Sequence, residues 1–145
     1  MPLIGAAMAL LLTACAPVKV DEPTPGPEVA TQCDALLADL PPKVLEAKRR
    51  DTEPGRYTAA WGNPAITLSC GVPQPAAAVT DTRCFEVNKV GWTAEEGQGG
   101  WIYTTIGRSG YVQVAVPEDY RPEANALVAM AEPIKKHMPE LKPCL

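Results

Sequence analysis

Apolar and polar positions change rhythm several times along the chain. The first run, Leu3 to Leu12, is apolar or small throughout. Roughly ten residues are too few to cross a bilayer, which takes about 20, but they fit the hydrophobic part of a signal peptide. From Ala16 to Ala30, "APVKVDEPTPGPEVA", no apolar period survives, and Pro17, Pro23, Pro25 and Pro27 favour extended, polyproline-like backbone. Helical spacing begins afterwards. Thr31 is placed to cap, Asp34 suits a first turn, and Leu36, Leu37 and Leu40 share a face until Pro41-Pro42 stops the helix. "KVLEAKRRD", residues 43–51, predicts a second short helical turn.

From Tyr57 the period shortens to two. "YTAAW" runs into the turn cluster Gly62-Asn63-Pro64, and "AITLSC" predicts a strand with Ile66 and Leu68 on one face. "RCFEVNKVGW" alternates as one further strand, with Phe85, Val87 and Lys89 sharing a side. "WIYTTI" and "YVQVAV" predict a hairpin around Gly107-Arg108-Ser109-Gly110, with Ile102, Thr104 and Ile106 on one face and Val112, Val114 and Val116 on one face of the partner. The tail returns to helical spacing at Leu127, Met130, Ile134 and Met138. It predicts the longest helix of the chain, started by Pro122, kinked or split by Pro133, and ended near Lys135, Lys136 and His137, where positive charge suits the helix dipole. Together the elements predict a two-layer α+β domain over residues 31–145: an antiparallel sheet of about four to six strands, with an N-terminal and a C-terminal helix packed on one face.

The cysteines say where such a domain works. The chain has five, an odd number. Cys15 closes the apolar run in Leu12-Thr13-Ala14-Cys15, which resembles the lipobox of bacterial lipoproteins; the competing reading is a buried apolar helix with a core cysteine. The lipobox implies a signal peptide over residues 1–14, cut before Cys15, whose thiol carries diacylglycerol. Two acyl chains anchor stably where one is marginal. Residues 15–30 then form the lipidated cysteine and a Pro-rich tether, able to reach roughly 45 Å from the membrane at about 3.1 Å per residue. A signal peptide opens with basic residues, and nothing before Cys15 is charged, so a basic stretch upstream of Met1 is expected.

Removing Cys15 leaves Cys33, Cys70, Cys84 and Cys144, and four cysteines in an exported domain read as two disulfides with three possible pairings. Their positions favour Cys33–Cys144 across the ends and Cys70–Cys84 across the Pro-rich loop between them. Polymer entropy gives about 3 kcal/mol for the short loop and under about 5 for the long one. No Cys-x-x-Cys occurs and His137 is the only histidine, so a zinc knuckle, a redox pair or another metal site finds no support, and the residues call for no cofactor.

Composition adds little more. A hydrophobic share of 46% and a charged share of 21% are ordinary, whereas 16 prolines shorten the regular elements. A net charge of −4 argues against nucleic acid as partner. Lys48-Arg49-Arg50 reads as a solvated face partly neutralised by Glu46, Asp51 and Glu53, with anionic headgroups or wall polymers as its functional alternative. Trp61, Trp92 and Trp101 read first as core or edge packing, and otherwise as a surface on which a sugar stacks. "GRSGY" fails as a nucleophile elbow, because Tyr111 stands where glycine is needed.

"AAWGNPAITLSCGVPQP", "CFEVNKVGW" and "TTIGRSGYVQVAVP", with "CDALLADLP" upstream, resemble a family of short actinobacterial lipoproteins known as a domain of unknown function, DUF3515. The resemblance runs from Cys33 to about Pro139. It implies an exported, membrane-anchored protein and supplies no activity, substrate or site residues. The residues themselves favour a non-catalytic module on the outer face of the plasma membrane. Its partners are membrane lipid, through Cys15, and an envelope protein or wall polymer. The alternatives are an enzyme on envelope glycans or lipids, which needs converging carboxylates or Ser109 beside a base, and a small-ligand binder, which needs at least two tryptophans exposed on one face.

Overall fold

The structure, a computed structural model, describes residues 16–76 and 83–144. Cys15, the residues before it and part of the Pro-rich loop lie outside the described residues. In chain order the elements are β1 (Val18–Lys19), α1 (Pro27–Ala38), β2 (Lys43–Val44), β3 (Ala47–Arg50), β4 (Thr52–Glu53), β5 (Thr58–Trp61) and β6 (Ile66–Val72). β7 (Phe85–Val87), β8 (Val90–Gly97), β9 (Gly100–Thr105) and β10 (Tyr111–Pro117) follow. Short 3-10 helices at Glu118–Tyr120 and Glu123–Met130 then lead into α2 (Ala131–His137).

Among the described residues, eight strands form one antiparallel sheet in the order β2-β3-β5-β6-β10-β9-β8-β7, and β1 pairs with β4 in a separate parallel ribbon. The expected α+β domain with four to six strands is therefore replaced by a β-rich fold. Two stretches account for the extra strands. "KVLEAKRRD" is not a helical turn but the edge hairpin β2–β3, with Leu45 and Glu46 at positive φ in its tight turn. "FEVNKVGW" is not one strand but the hairpin β7–β8, turned by Asn88 and Lys89, also at positive φ. Neither turn carries the glycine that usually announces such geometry.

The hairpin β9–β10 forms where expected, and its register decides which face is core. Val114 lies opposite Tyr103 and Val116 opposite Trp101, so those aromatics share the buried valine face while Ile102 and Thr104 point the other way. Ile66, Leu68 and Cys70 of β6 and Trp61 of β5 complete that face. α1 packs against α2 and β6, and the 3-10 segment Glu123–Met130 packs against β10.

The helices also depart from expectation. α1 starts four residues before the predicted cap: Gly26 is the N-cap, Pro27 fits the first turn, and Thr31 sits inside the helix with its hydroxyl donating to the Pro27 carbonyl at 3.1 Å. The tail is not the longest helix. Proline has no N–H to close an α-helical bond to residue 129, so α2 begins at Ala131, placing Pro133 in its first turn, and tighter 3-10 geometry precedes it.

The disulfides are Cys33–Cys70 and Cys84–Cys144, not the expected Cys33–Cys144 and Cys70–Cys84. Sheet order supplies the reason. β6 and β7 are separated by β10, β9 and β8, about 19 Å at the usual strand spacing, so Cys70 at the end of β6 cannot reach Cys84 beside β7. Cys33 on α1 faces β6 instead. The C-terminal tail runs to the β7–β8 edge, stitched by Gly107, whose carbonyl accepts from Leu141 N–H (2.7 Å) and Lys142 N–H (2.9 Å). A side chain at Gly107 would meet the Lys142 carbonyl, and its φ of 77° favours glycine as well. Arg108 clamps the same tail, donating to the Met138 carbonyl at 2.8 Å.

Candidate functional site

Of the five side chains singled out for ligand contact, two are core. Trp61 and Trp92 are fully buried. The Trp61 indole N–H donates to the Pro41 carbonyl at 2.9 Å, while the Trp92 N–H has no acceptor among the described residues. A binding surface of several tryptophans on one face is thus ruled out, since only Trp101 keeps partial exposure. Arg49 lies opposite Trp61 across β3 and β5 and stacks over its ring, 5.2 Å from the centroid, as a cationic lid on the core. Its outer edge stays exposed, and partial burial pushes the guanidinium pKa below its usual value while Asp51 opposes that shift.

Arg50 does something else. Its guanidinium donates to the Gly62 carbonyl at 2.8 Å and to the Ala16 carbonyl at 3.1 Å. The second bond begins a strap. Val18 N–H donates to the Asp51 carbonyl (2.8 Å), β1 pairs with β4, and Val20 N–H reaches the Glu53 carbonyl (3.3 Å). Farther on, the Glu22 carboxylate accepts from the backbone N–H groups of Arg56 and Tyr57, and Arg56 pairs with Asp34 of α1. Pro25 lies over Gly71, where a side chain would come within 2.6 Å of the Pro25 ring. The segment expected to hold the domain at a distance as a spacer through Ala30 thus runs along the domain up to Gly26 and enters α1 at Pro27. Its prolines keep it extended, and its intervening polar groups bind β3, β4 and the turn after them. None of those partners is visible as a periodic pattern; Glu22 in particular carried no signal.

The corner held by Arg50 continues to the end of the sheet. The Tyr120 hydroxyl donates to the Pro64 carbonyl at 2.7 Å, and burial raises its pKa, with Asp119 adding to the shift and Arg50 opposing it. Pro64 and Asp119 border a groove of about 360 Å³ at the tip of the β8–β9 hairpin, with Trp101, Gln98 and Pro117 among its walls. The turn Gly97 to Gly100 keeps its floor low, and Glu118 N–H donates to the Gly99 carbonyl at 2.8 Å. The signal in the sequence was the glycine cluster "GQGGW" before an aromatic, which marks a turn but not what packs beside it.

A wider hollow of about 780 Å³ lies between the end of α1 and α2, lined in part by Asp39, Lys135 and Lys136. Its charges are paired: Lys136 lies 3.8 Å from the Asp39 carboxylate, which also meets His137 Nε2 at 2.9 Å, and Lys135 pairs with Glu132. It is the weaker candidate for that reason. The Ser109 hydroxyl donates to the Gln32 side-chain carbonyl at 2.7 Å, so its partner is an amide and not a base. Among the described residues no three His, Cys, Asp or Glu side chains cluster closely enough to hold a metal ion, and no helix is long and apolar enough to cross a membrane.

No curated protein and no solved structure matches the chain. One family model does, over residues 3–143, which takes in the apolar run, the strap, the stapled sheet and the tail. The chain belongs to that family, described as protein of unknown function (DUF3515).

Proposed function

We propose that the chain is a lipid-anchored, non-catalytic module of the cell envelope, seated directly at the outer face of the plasma membrane and binding an envelope partner. The observation that carries this reading is the docked strap. Among the described residues its contacts with the domain run from Ala16 onward, so a chain cut before Cys15 retains them and carries its anchor next to the first of them. The two disulfides fit an oxidising compartment. The pairing of Ser109 with an amide favours binding over nucleophilic chemistry. Metabolic labelling with a fatty acid tests the anchor: wild type takes up label and Cys15→Ala does not, whereas continued labelling of the variant contradicts it. In-cell crosslinking tests the module: a reproducible envelope protein or wall-polymer adduct is expected, and its absence counts against the reading.

A second reading, a small-ligand site, is favoured by the groove beside Trp101. A sugar ring stacked on a half-exposed indole is the chemistry such a groove suits. With Trp61 and Trp92 buried, emission changes on titration with wall-glycan fragments report on Trp101, and Trp101→Phe should abolish them. Titration without any change in emission removes this reading.

A further inference from the structure

The edge hairpin β2–β3 joins a like-charge lysine pair, of the kind that also protects sheet edges, to a strained apolar tip that edge protection does not call for. Lys43 and Lys48 are both exposed and are direct cross-strand partners, like charges set face to face. The turn between them holds Leu45 and Glu46 at φ values of 48° and 66°, a conformation unfavourable for residues with a Cβ, and it leaves Leu45 41% exposed at the tip. Arg49 adds a further cation, stacked on Trp61. Glu46 and Asp51 offset part of this charge and leave the hairpin basic on a chain that is acidic as a whole. The hairpin is also placed by the strap, because the strand that carries Lys48 ends in Arg50, whose guanidinium holds Ala16. Arg50 and Leu45 are five residues apart, at most about 17 Å because the turn at Leu45-Glu46 shortens the path. The tip and the anchored end therefore lie along the same edge of the sheet.

We propose that this hairpin is a membrane-contacting edge that binds anionic lipid headgroups, with Lys43 and Lys48 each facing lipid phosphate and Leu45 entering the interfacial zone. The paired lysines repel in water and gain on meeting phosphate, and the exposed leucine gains on leaving water. Each lysine brought to an anionic surface is worth about fivefold in partitioning, so the pair is worth about 25-fold. The inference rests on the anchor reading above, because Cys15 is what brings this edge to the bilayer.

The test is hydrogen exchange on the full lipidated chain, reconstituted in phosphatidylcholine vesicles with and without phosphatidylglycerol. Intact-mass measurement on the same sample reports the state of Cys15. Amides of residues 43–50 are expected to slow several-fold on the anionic vesicles only. Lys43→Glu with Lys48→Glu should abolish the difference and Leu45→Ser should reduce it. Both sites are exposed, so unchanged exchange elsewhere in the sheet certifies that the variants fold, and Lys43→Gln with Lys48→Gln serves if the reversal does not. A lipidated chain whose hairpin exchanges alike on both vesicles overturns the proposal alone. An unmodified Cys15 overturns the anchor reading and the proposal with it. Slowing by a soluble anionic wall polymer but not by anionic vesicles overturns it in favour of a polymer partner.

Discussion

Two tryptophans with equal burial do different work. Trp61 satisfies the Pro41 carbonyl and carries Arg49 on its face; Trp92 donates to nothing among the described residues. Replacing either by phenylalanine leaves a similar void, but only at Trp61 does a part-buried hydrogen bond disappear. Denaturant unfolding should therefore find Trp61→Phe costlier than Trp92→Phe by about 1 kcal/mol. Equal costs would mean that the Pro41 carbonyl finds another donor. These roles were only half legible in the sequence. An isolated tryptophan reads as core, and here two are, yet nothing in the composition says which indole N–H has a partner. The arginines show the same limit: Arg49 and Arg50 are neighbours of one kind, but strand alternation sends one onto the core face over Trp61 and the other to the opposite face.

At the scale of elements, the strap depends on few contacts and should detach as a unit. Arg50→Ala removes the donors to Ala16 and Gly62, and the expected result is faster exchange at Val18 and Val20 by at least tenfold, with little change at Val112 or Val114 in the sheet centre. Uniform acceleration across the sheet would mean that Arg50 supports the core rather than the strap. Period two is strong enough to reveal β6, β9 and β10, because each alternates with one face against the core. The two missed hairpins pair over only two and three residues, Lys43–Val44 with residues 47–48 and Phe85–Val87 with residues 90–92, and their turns at Leu45-Glu46 and Asn88-Lys89 lack the glycine that would mark them. The sequence predicts a spacer in place of the strap because proline-rich backbone looks the same whether it is free or docked. Only its partners distinguish the two, and they lie far along the chain.

For the molecule as a whole, the disulfides divide the domain into two closed loops that do not interleave, with sequence separations of 37 and 60. The polymer-entropy argument gives each about 4 kcal/mol. Losing Cys33–Cys70 as a serine pair should release α1 from β6, and losing Cys84–Cys144 should free the tail from the β7 edge. Each is expected to lower unfolding free energy by about that amount, and a non-reduced peptide map should join the Cys33 peptide to that of Cys70. A linkage of Cys70 to Cys84 would contradict the sheet order itself. That four cysteines make two bonds was legible from counting them. Which pairs form was not, because pairing depends on strand order, and β6 and β7, consecutive among the described strands, have three strands between them in the sheet.

The claim on which the functional account turns is that the strap seats the domain at the membrane. Neutron reflectometry of the lipidated chain on a supported phosphatidylcholine bilayer measures this directly, without the anionic lipid that the hairpin is proposed to bind. The account predicts protein density that begins at the headgroups. A water-rich layer of about 45 Å, the reach of a free tether, between bilayer and domain would contradict it.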